Sequence, residues 1–231
     1  AFYLPVLQRI VEDPLSRALL IYPTKALAQD QKANLEKILQ SIKSKSEIMV
    51  GVYDGDTPPS ERKRIREHAN IILTNPDMLN VSFLPYHNRH GFQEIFRNLD
   101  FVVLDELHVY RGAFGTHVAY LMRRLLRICD YHGVSPQFLC SSATIANPLE
   151  LAQNICSRPF ILIDDDGSFN SAKKLIFWQC PNNSDTITEV TSLIPDLVVN
   201  DITSITFCQS RRDVEVASRE IKEILKQQHG I

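Results

Sequence analysis

Five short apolar runs recur along the earlier part of the chain: ALLIY (18–22), IMVGVY (48–53), NIILTN (70–75), FVVLDE (101–106) and QFLCSSAT (137–144). Each is continuous rather than alternating and is bounded by turn residues. Such runs suit strands buried on both faces of a parallel sheet, because a sheet with one wet face would show period-two alternation. Between them lie stretches with helical spacing, at 27–42, 59–67, 115–131 and 148–155, and the opening AFYLPVLQRI reads as an apolar helix. Strand and helix alternating in this way is the pattern of an α/β protein with helices on both faces of a parallel sheet.

After Pro159 the periodicity breaks. FILIDDDGSFNSAKK carries an acidic run, a glycine and several Ser and Asn residues, and is read as a linker or edge hairpin. A second α/β stretch follows, with expected strands at 175–180 and 204–209 and helices at 186–199 and 211–226. The expected organisation is therefore a first domain over 1–160, a linker over 161–173 and the beginning of a second domain over 174–231. A length of 231 residues accommodates this division, since a single domain usually runs to about 100–200 residues. The balance of 44% hydrophobic and 23% charged residues excludes collagen-like, coiled-coil and wholly disordered classes.

A net charge of −2 projects no strong positive field, so any nucleic-acid contact must come from local patches. There is no apolar run long enough to span a bilayer and no signal-peptide order at the start, which leads to the expectation of a soluble intracellular protein, cytoplasmic or nuclear, without membrane contact. The cysteines at 129, 140, 156, 180 and 208 are odd in number and widely spaced. They read as reduced thiols rather than as a disulfide framework or a zinc site.

The sharpest chemical feature is FVVLDELH (101–108), an apolar strand ending in two adjacent carboxylates. Ligands of open parallel sheets bind beyond the carboxyl ends of the strands, which puts Asp105 and Glu106 where a nucleotide would be expected. In phosphoryl transfer Asp105 would hold Mg²⁺ through its hydration shell while Glu106 acts as general base. A solvated acid pair opening a turn is the plainer alternative. In QFLCSSATI, Ser142, Ala143 and Thr144 follow another buried strand; small hydroxyl residues there can bond neighbouring carboxylates or merely precede a helix capped by Asn147. YPTKAL (22–27) and TNPDML (74–79) share a layout in which a strand ends and a helix starts. Exposed N–H groups there bind phosphates, with donors added by Thr24, Lys25, Thr74 and Asn75, and ordinary capping is the competing account.

In order, YPTKAL, YDGDTP, TNPDML, VVLDELH, SSATI and ITFCQSRRDVE resemble motifs Ia, the following glycine motif, Ib, II, III and IV of the superfamily 2 DExH-box helicases. The extended DELHVYRGAFGTHVAYLMRRLLRIC is similar to the mitomycin repair factor type, relatives of the RecQ-like repair helicases. The resemblance implies RecA-like domains of the P-loop NTPase helicase fold, with ATP and Mg²⁺ as cofactors and translocation along nucleic acid, single-stranded DNA above all. By motif it implies a metal and water-activating pair at Asp105 and Glu106, with His108, Ser142 and Thr144 coupling that site to movement. It puts the backbone grip at Pro23, Thr24, Lys25, Gly55, Thr74, Asn75, Pro76 and Asp77, and in the second domain at Ser210 and Arg211, with Phe207 completing the match.

No G-x-x-x-x-G-K-[ST] loop occurs, since none of the eight glycines precedes a lysine. The expectation is a piece that starts one motif late, ends before motifs V and VI and does not hydrolyse ATP by itself. An RNA helicase, or a nucleic-acid clamp without turnover, are the alternatives. Of the remaining features, His87 and His90 have H-x-x-H spacing, but in a polar loop with no nearby Cys or carboxylate cluster, which speaks against a metal site. The basic run ERKRIRE (61–67) reads as a solvated helix face, as do Arg123, Arg124 and Arg127, and Trp178 as packing in the second domain.

Overall fold

The computed structural model of the chain describes residues 2–41, 48–89, 91–165, 167, 172–181 and 184–229. The chain divides into two compact units, Ala1–Asp166 and Gly167–Ile231.

In the first unit five strands form one parallel sheet: β1 (Arg17–Ile21), β2 (Val50–Val52), β3 (Ile71–Thr74), β4 (Leu99–Leu104) and β5 (Gln137–Cys140). Their order is β2-β3-β1-β4-β5. Register is fixed by pairs such as Ile21 with Thr74, Ile21 with Leu104, and Leu104 with Cys140. Strand residues point alternately to two cores, which explains the continuous apolar runs. Leu19, Ile21, Ile72, Val102 and Leu104 meet α3 (Pro59–His68), α6 (Gly112–His132) and α7 (Pro148–Cys156). Ala18, Leu20, Ile71, Leu73, Phe101 and Val103 meet α1 (Tyr3–Glu12) and α2 (Lys25–Ser41).

The helix start expected in TNPDML forms at Pro76–Met78, designated α4, whereas its continuation by a π-helical turn at Leu79–Phe83 and the short α5 (Phe92–Arg97) were not expected from the sequence. The turn and α5 are too short to show a helical period, and both are held by tertiary burial of Leu79, Phe83, Phe92, Ile95 and Phe96. The long α6 ends at Gly133, whose φ of 73° lets Val134 N–H bond back to the Cys129 carbonyl at 3.0 Å.

The second unit contains α8 (Thr186–Val199) and α9 (Arg211–Ile224), capped by the side chains of Asp185 and Ser210. The strands expected at 175–180 and 204–209 do not form: both stretches lack regular structure, and Leu175, Ile176, Phe177, Ile205 and Phe207 are exposed. A strand exists only by pairing its N–H and C=O groups with a neighbour, and among the described residues of this unit no segment supplies one. Trp178, expected to pack, is likewise exposed and donates its indole N–H to Glu189 Oε2 at 3.1 Å. Part of the expected linker lies outside the described residues. Trypsin is expected to cut first at the exposed Lys173 or Lys174, leaving a resistant fragment that holds the whole sheet. Mass spectrometry of the first product checks this, and initial cleavage within the strands or α6 would contradict it.

Candidate nucleotide and nucleic-acid site

All five strands are parallel, so the five turns that leave their carboxyl ends lie along one edge of the sheet. In spatial order these are the Asp54–Thr57 turn after β2, Asn75 and Pro76 after β3, Tyr22 to Lys25 after β1, Asp105 and Glu106 after β4, and Ser141 to Thr144 after β5. From β1 the chain passes to the β2 side, and from β4 to the β5 side. The switch point therefore lies between β1 and β4, flanked by Lys25's turn on one side and Asp105 on the other.

Hydrogen bonds join neighbouring turns across the edge. Thr74 Oγ1 donates to Tyr53 O at 2.8 Å, Tyr22 N to Thr74 O at 2.9 Å, and Asp105 N to Ile21 O at 3.1 Å. Beyond β4 the bonds are densest: Ser141 N donates to Leu104 O at 3.1 Å and Leu107 N to Ser141 O at 2.9 Å. Asp105 Oδ1 accepts from its neighbour's amide, Glu106 N, at 2.9 Å and from Ser141 Oγ. Among the described residues Oδ2 has no donor, so one oxygen of this carboxylate is held and the other is presented.

Glu106 adopts a left-handed conformation, φ 54° and ψ 45°. For a residue other than glycine this costs about 1 kcal/mol, and such strain persists where packing over-determines it. In this conformation Glu106 Oε2 lies 3.3 Å from His108 Nδ1. The same Nδ1 lies 3.3 Å from Ala143 N–H. Nδ1 without a proton accepts from Ala143, whereas Nδ1 carrying one donates to Glu106, so His108 stands between the two turns with a choice of partner. Beneath them Tyr22 and Tyr110 are buried, and burial, reinforced by the Asp105 charge, pushes both phenols well above the usual tyrosine range. The floor of the site is neutral.

Ser142 and Thr144 are exposed, and among the described residues their hydroxyls make no hydrogen bond. The serine that holds Asp105 is Ser141, which sequence reading passed over. Register would have found it: Leu104 pairs with Cys140, so the next residues, Asp105 and Ser141, face each other.

On the other side of the switch point, Thr24 Oγ1 accepts from Leu27 N at 3.3 Å and Asn75 Oδ1 from Met78 N at 2.9 Å. Thr74, Asn75 and Pro76 are buried, whereas Thr24, Lys25, Gly55 and Asp77 are exposed and Pro23 is half-buried. The capping account thus describes the side chains of Thr24 and Asn75, while Thr74 locks two turns together. Lys25 Nζ reaches Asp56 Oδ2 at 2.8 Å, and that hydrogen bond raises its pKa. Asp54 Oδ1 accepts from the amides of Asp56 and Thr57. Burial would raise its pKa, but the Thr57 hydroxyl and these two amides outweigh that and hold it below the usual carboxylate range. In the second unit, Ser210 caps α9 by accepting from Asp213 N at 3.1 Å, and Arg211 begins that helix, exposed.

The model of the DEAD/DEAH box helicase family matches residues 1–152. The chain belongs to the DEAD/DEAH box helicases. It is 42% identical to the uncharacterized ATP-dependent helicase YprA of Bacillus subtilis across 99% of this chain and 31% of that protein. It is 39% identical to the ATP-dependent helicase HRQ1 of Saccharomyces cerevisiae across 96% of this chain and 21% of that protein. A crystal structure of the helicase MrfA bound to DNA and AMPPNP superposes with a TM-score of 0.89 at 42% identity, covering 99% of this chain and 32% of that one. The chain thus spans a third or less of the length of these relatives, and its sheet is the RecA-like sheet of this helicase family.

The other sequence candidates resolve differently. His87 Nδ1 faces His132 Nε2 at 3.1 Å, and His90 lies outside the described residues. Among the described residues no cluster of three or more His, Cys, Asp or Glu side chains is arranged to hold a metal, and no helix is long and apolar enough to cross a membrane. No disulfide joins the cysteines. Cys129 and Cys156 are buried, whereas Cys140, Cys180 and Cys208 are partly exposed.

Proposed function

We propose that this chain forms the sheet-edge machinery of an ATP-dependent DNA helicase acting in repair, in which ATP hydrolysis drives movement along a single strand. The observation that carries the reading is the pairing of two unlike halves on one edge: a held carboxylate beside a strained acid after β4, and helix-opening turns after β1, β2 and β3 in which Lys25 and Gly55 are exposed. Hydrogen bonds link the halves through Ile21, Tyr22 and Thr74. DNA rather than RNA is favoured by the DNA in the crystal structure of a 42% identical relative. We further propose that residues up to about 160 belong to the first RecA-like domain and residues from 174 to the second.

A magnesium ion carried by a nucleotide takes one or two carboxylates, with phosphates and water completing its shell. Asp105 fits that demand, with Oδ1 immobilised and Oδ2 presented. Magnesium there would offset the phosphate charge. Glu106, with an unbonded Oε1 among the described residues, takes the proton of an attacking water. His108 and Ser141 pass changes at these acids to the turn after β5, where Ser142 and Thr144 are exposed to respond. Lys25 exchanges Asp56 for a backbone phosphate, with Gly55, Asp77 and the helix-start amides beside it. Taken by itself, the second unit offers Ser210 and Arg211 at the start of α9 as nucleic-acid contacts.

The exposed Lys25–Asp56 pair contributes little to stability, so Lys25→Ala should leave the fold intact. It is expected to weaken single-stranded DNA binding similarly for all sequences and to reduce the slope of log affinity against log salt by about 1. Fluorescence anisotropy at several salt concentrations checks this. Salt-independent or sequence-specific binding would contradict the reading.

A further inference from the structure

The basic run at 61–67 does not form a uniformly solvated face. Lys63 and Arg64 point to solvent, and Arg64 pairs with Glu61 at 3.1 Å, but Arg62 and Arg66 turn inward beside the buried Ile65. There they meet Arg89 from the loop before α5 around an open pocket of about 380 Å³. Each guanidinium lies over an aromatic ring: Arg62 over Tyr53 at 5.4 Å, Arg66 over Phe92 at 5.0 Å and Arg89 over Tyr86 at 4.2 Å. The remaining lining is Pro59 and Ser82, so no carboxylate enters it. Among the described residues none of the three arginines forms an ion pair, and Arg62 Nε is buried without a hydrogen-bond partner.

Three cations gathered without a counter-charge repel one another, an arrangement that an anionic ligand relieves. The aromatic rings narrow the class of anion. Rings and stacked guanidinium planes are the surfaces on which unpaired bases lie, and adjacent arginines take the phosphate. The pocket also touches the strand track directly. Arg62 Nη2 donates to Asp54 O at 2.7 Å and Gly55 O at 3.1 Å, and Arg66 Nη1 to Tyr53 Oη at 3.1 Å. Tyr53 is in turn the residue whose carbonyl accepts from Thr74. A strand leaving the Gly55 turn on the β2 side runs toward this pocket.

We propose that Arg62, Arg66 and Arg89 with their three rings form a second nucleic-acid subsite beyond the edge strand β2, taking one unpaired nucleotide with its base against Tyr86 and its phosphate on the guanidinium groups. The proposal rests on the nucleic-acid track of the preceding section. Tyr86 and Arg89 are the exposed members, so Tyr86→Ala and Arg89→Ala leave the buried rings in place.

Both variants of the 231-residue chain, the unaltered chain and Lys25→Ala are titrated with oligothymidylates of increasing length. The unaltered chain should gain affinity once the strand is long enough to reach past the Gly55 turn. Each pocket variant should lose about tenfold on the longer strands, the usual worth of a stacked base, and nothing on the shortest. Lys25→Ala should weaken both. A 2-aminopurine placed toward one end should be quenched on binding and less so with Tyr86→Ala. If the pocket variants bind every length like the unaltered chain while Lys25→Ala weakens binding, the subsite is overturned and the helicase reading stands. If none of the chains binds, the reading and the subsite fail together. Inorganic pyrophosphate is the third probe: Arg89-dependent binding of it, with no length-dependent loss on the oligonucleotides, would assign the pocket to a free polyphosphate and overturn the strand proposal.

Discussion

Glu106→Gln in the whole protein is expected to lower ATP hydrolysis by about a hundredfold or more while leaving nucleotide binding nearly unchanged. The amide has the shape of the carboxylate and tolerates the same left-handed backbone, so the link at φ 54° survives. What it loses is the capacity to accept a proton. Asp105→Ala has a different expected signature. Asp105 Oδ1 holds Ser141 Oγ and Glu106 N, and among the described residues its other oxygen has no donor. Removing the group deletes the contact assigned to magnesium, and so impairs magnesium-dependent binding itself. It also frees two donors that set the geometry of the neighbouring turn. Steady-state ATPase rates with a nucleotide-binding titration separate the two variants. An unaffected rate in Glu106→Gln would remove Glu106 from its assigned role, and unaffected magnesium-dependent binding in Asp105→Ala would do the same for Asp105.

Gly115→Ala is expected to destabilise the first unit by about 2–3 kcal/mol, although Gly-to-Ala inside a helix ordinarily stabilises by about 1 kcal/mol. A Cβ at Gly115 would lie 2.4 Å from the Tyr110 carbonyl oxygen and 2.7 Å from its carbon. That neighbour is backbone and cannot swing aside. Tyr110 is moreover fully buried, directly beyond the DELHV turn, so relief must come from shifting the start of α6 or the turn that carries Glu106 and His108. Gly112→Ala offers the contrast. Nothing lies within 4 Å of its Cβ, and only the φ of 57° is unfavourable, a cost of about 1 kcal/mol. Urea unfolding of both variants measures the difference. A Gly115→Ala protein as stable as the unaltered chain would mean that α6 does not approach Tyr110 this closely in solution.

Which residues form the sheet is legible in the sequence because burial on both faces demands continuous apolar runs. All five runs become strands of one parallel sheet, within a few residues of the expected ends. Parallelism then gathers the candidate site residues, since it sends every strand's carboxyl end to one edge. Asp105 and Lys25 could therefore be picked out from their place after an apolar run, whereas Gly55 was singled out only through the family resemblance. The same apolar pattern misled at 175–180 and 204–209, where composition is strand-like but no neighbour supplies hydrogen bonds. A strand's stability is a property of its ladder rather than of the segment.

What only tertiary structure decided is partnership. Strand order, and with it the switch point between β1 and β4, depends on which connection crosses which face. Register decided that Ser141 rather than Ser142 meets Asp105. The left-handed turn at Glu106 and the choice of partner at His108 follow from packing around Tyr110 and the turn after β5. The arginines at 62 and 66 looked like solvated helix charges because the rings they lie over, Tyr53 and Phe92, come from other elements of the fold. Local sequence determines what a residue can do, but burial and neighbours across the fold determine which of those capacities remains free for use.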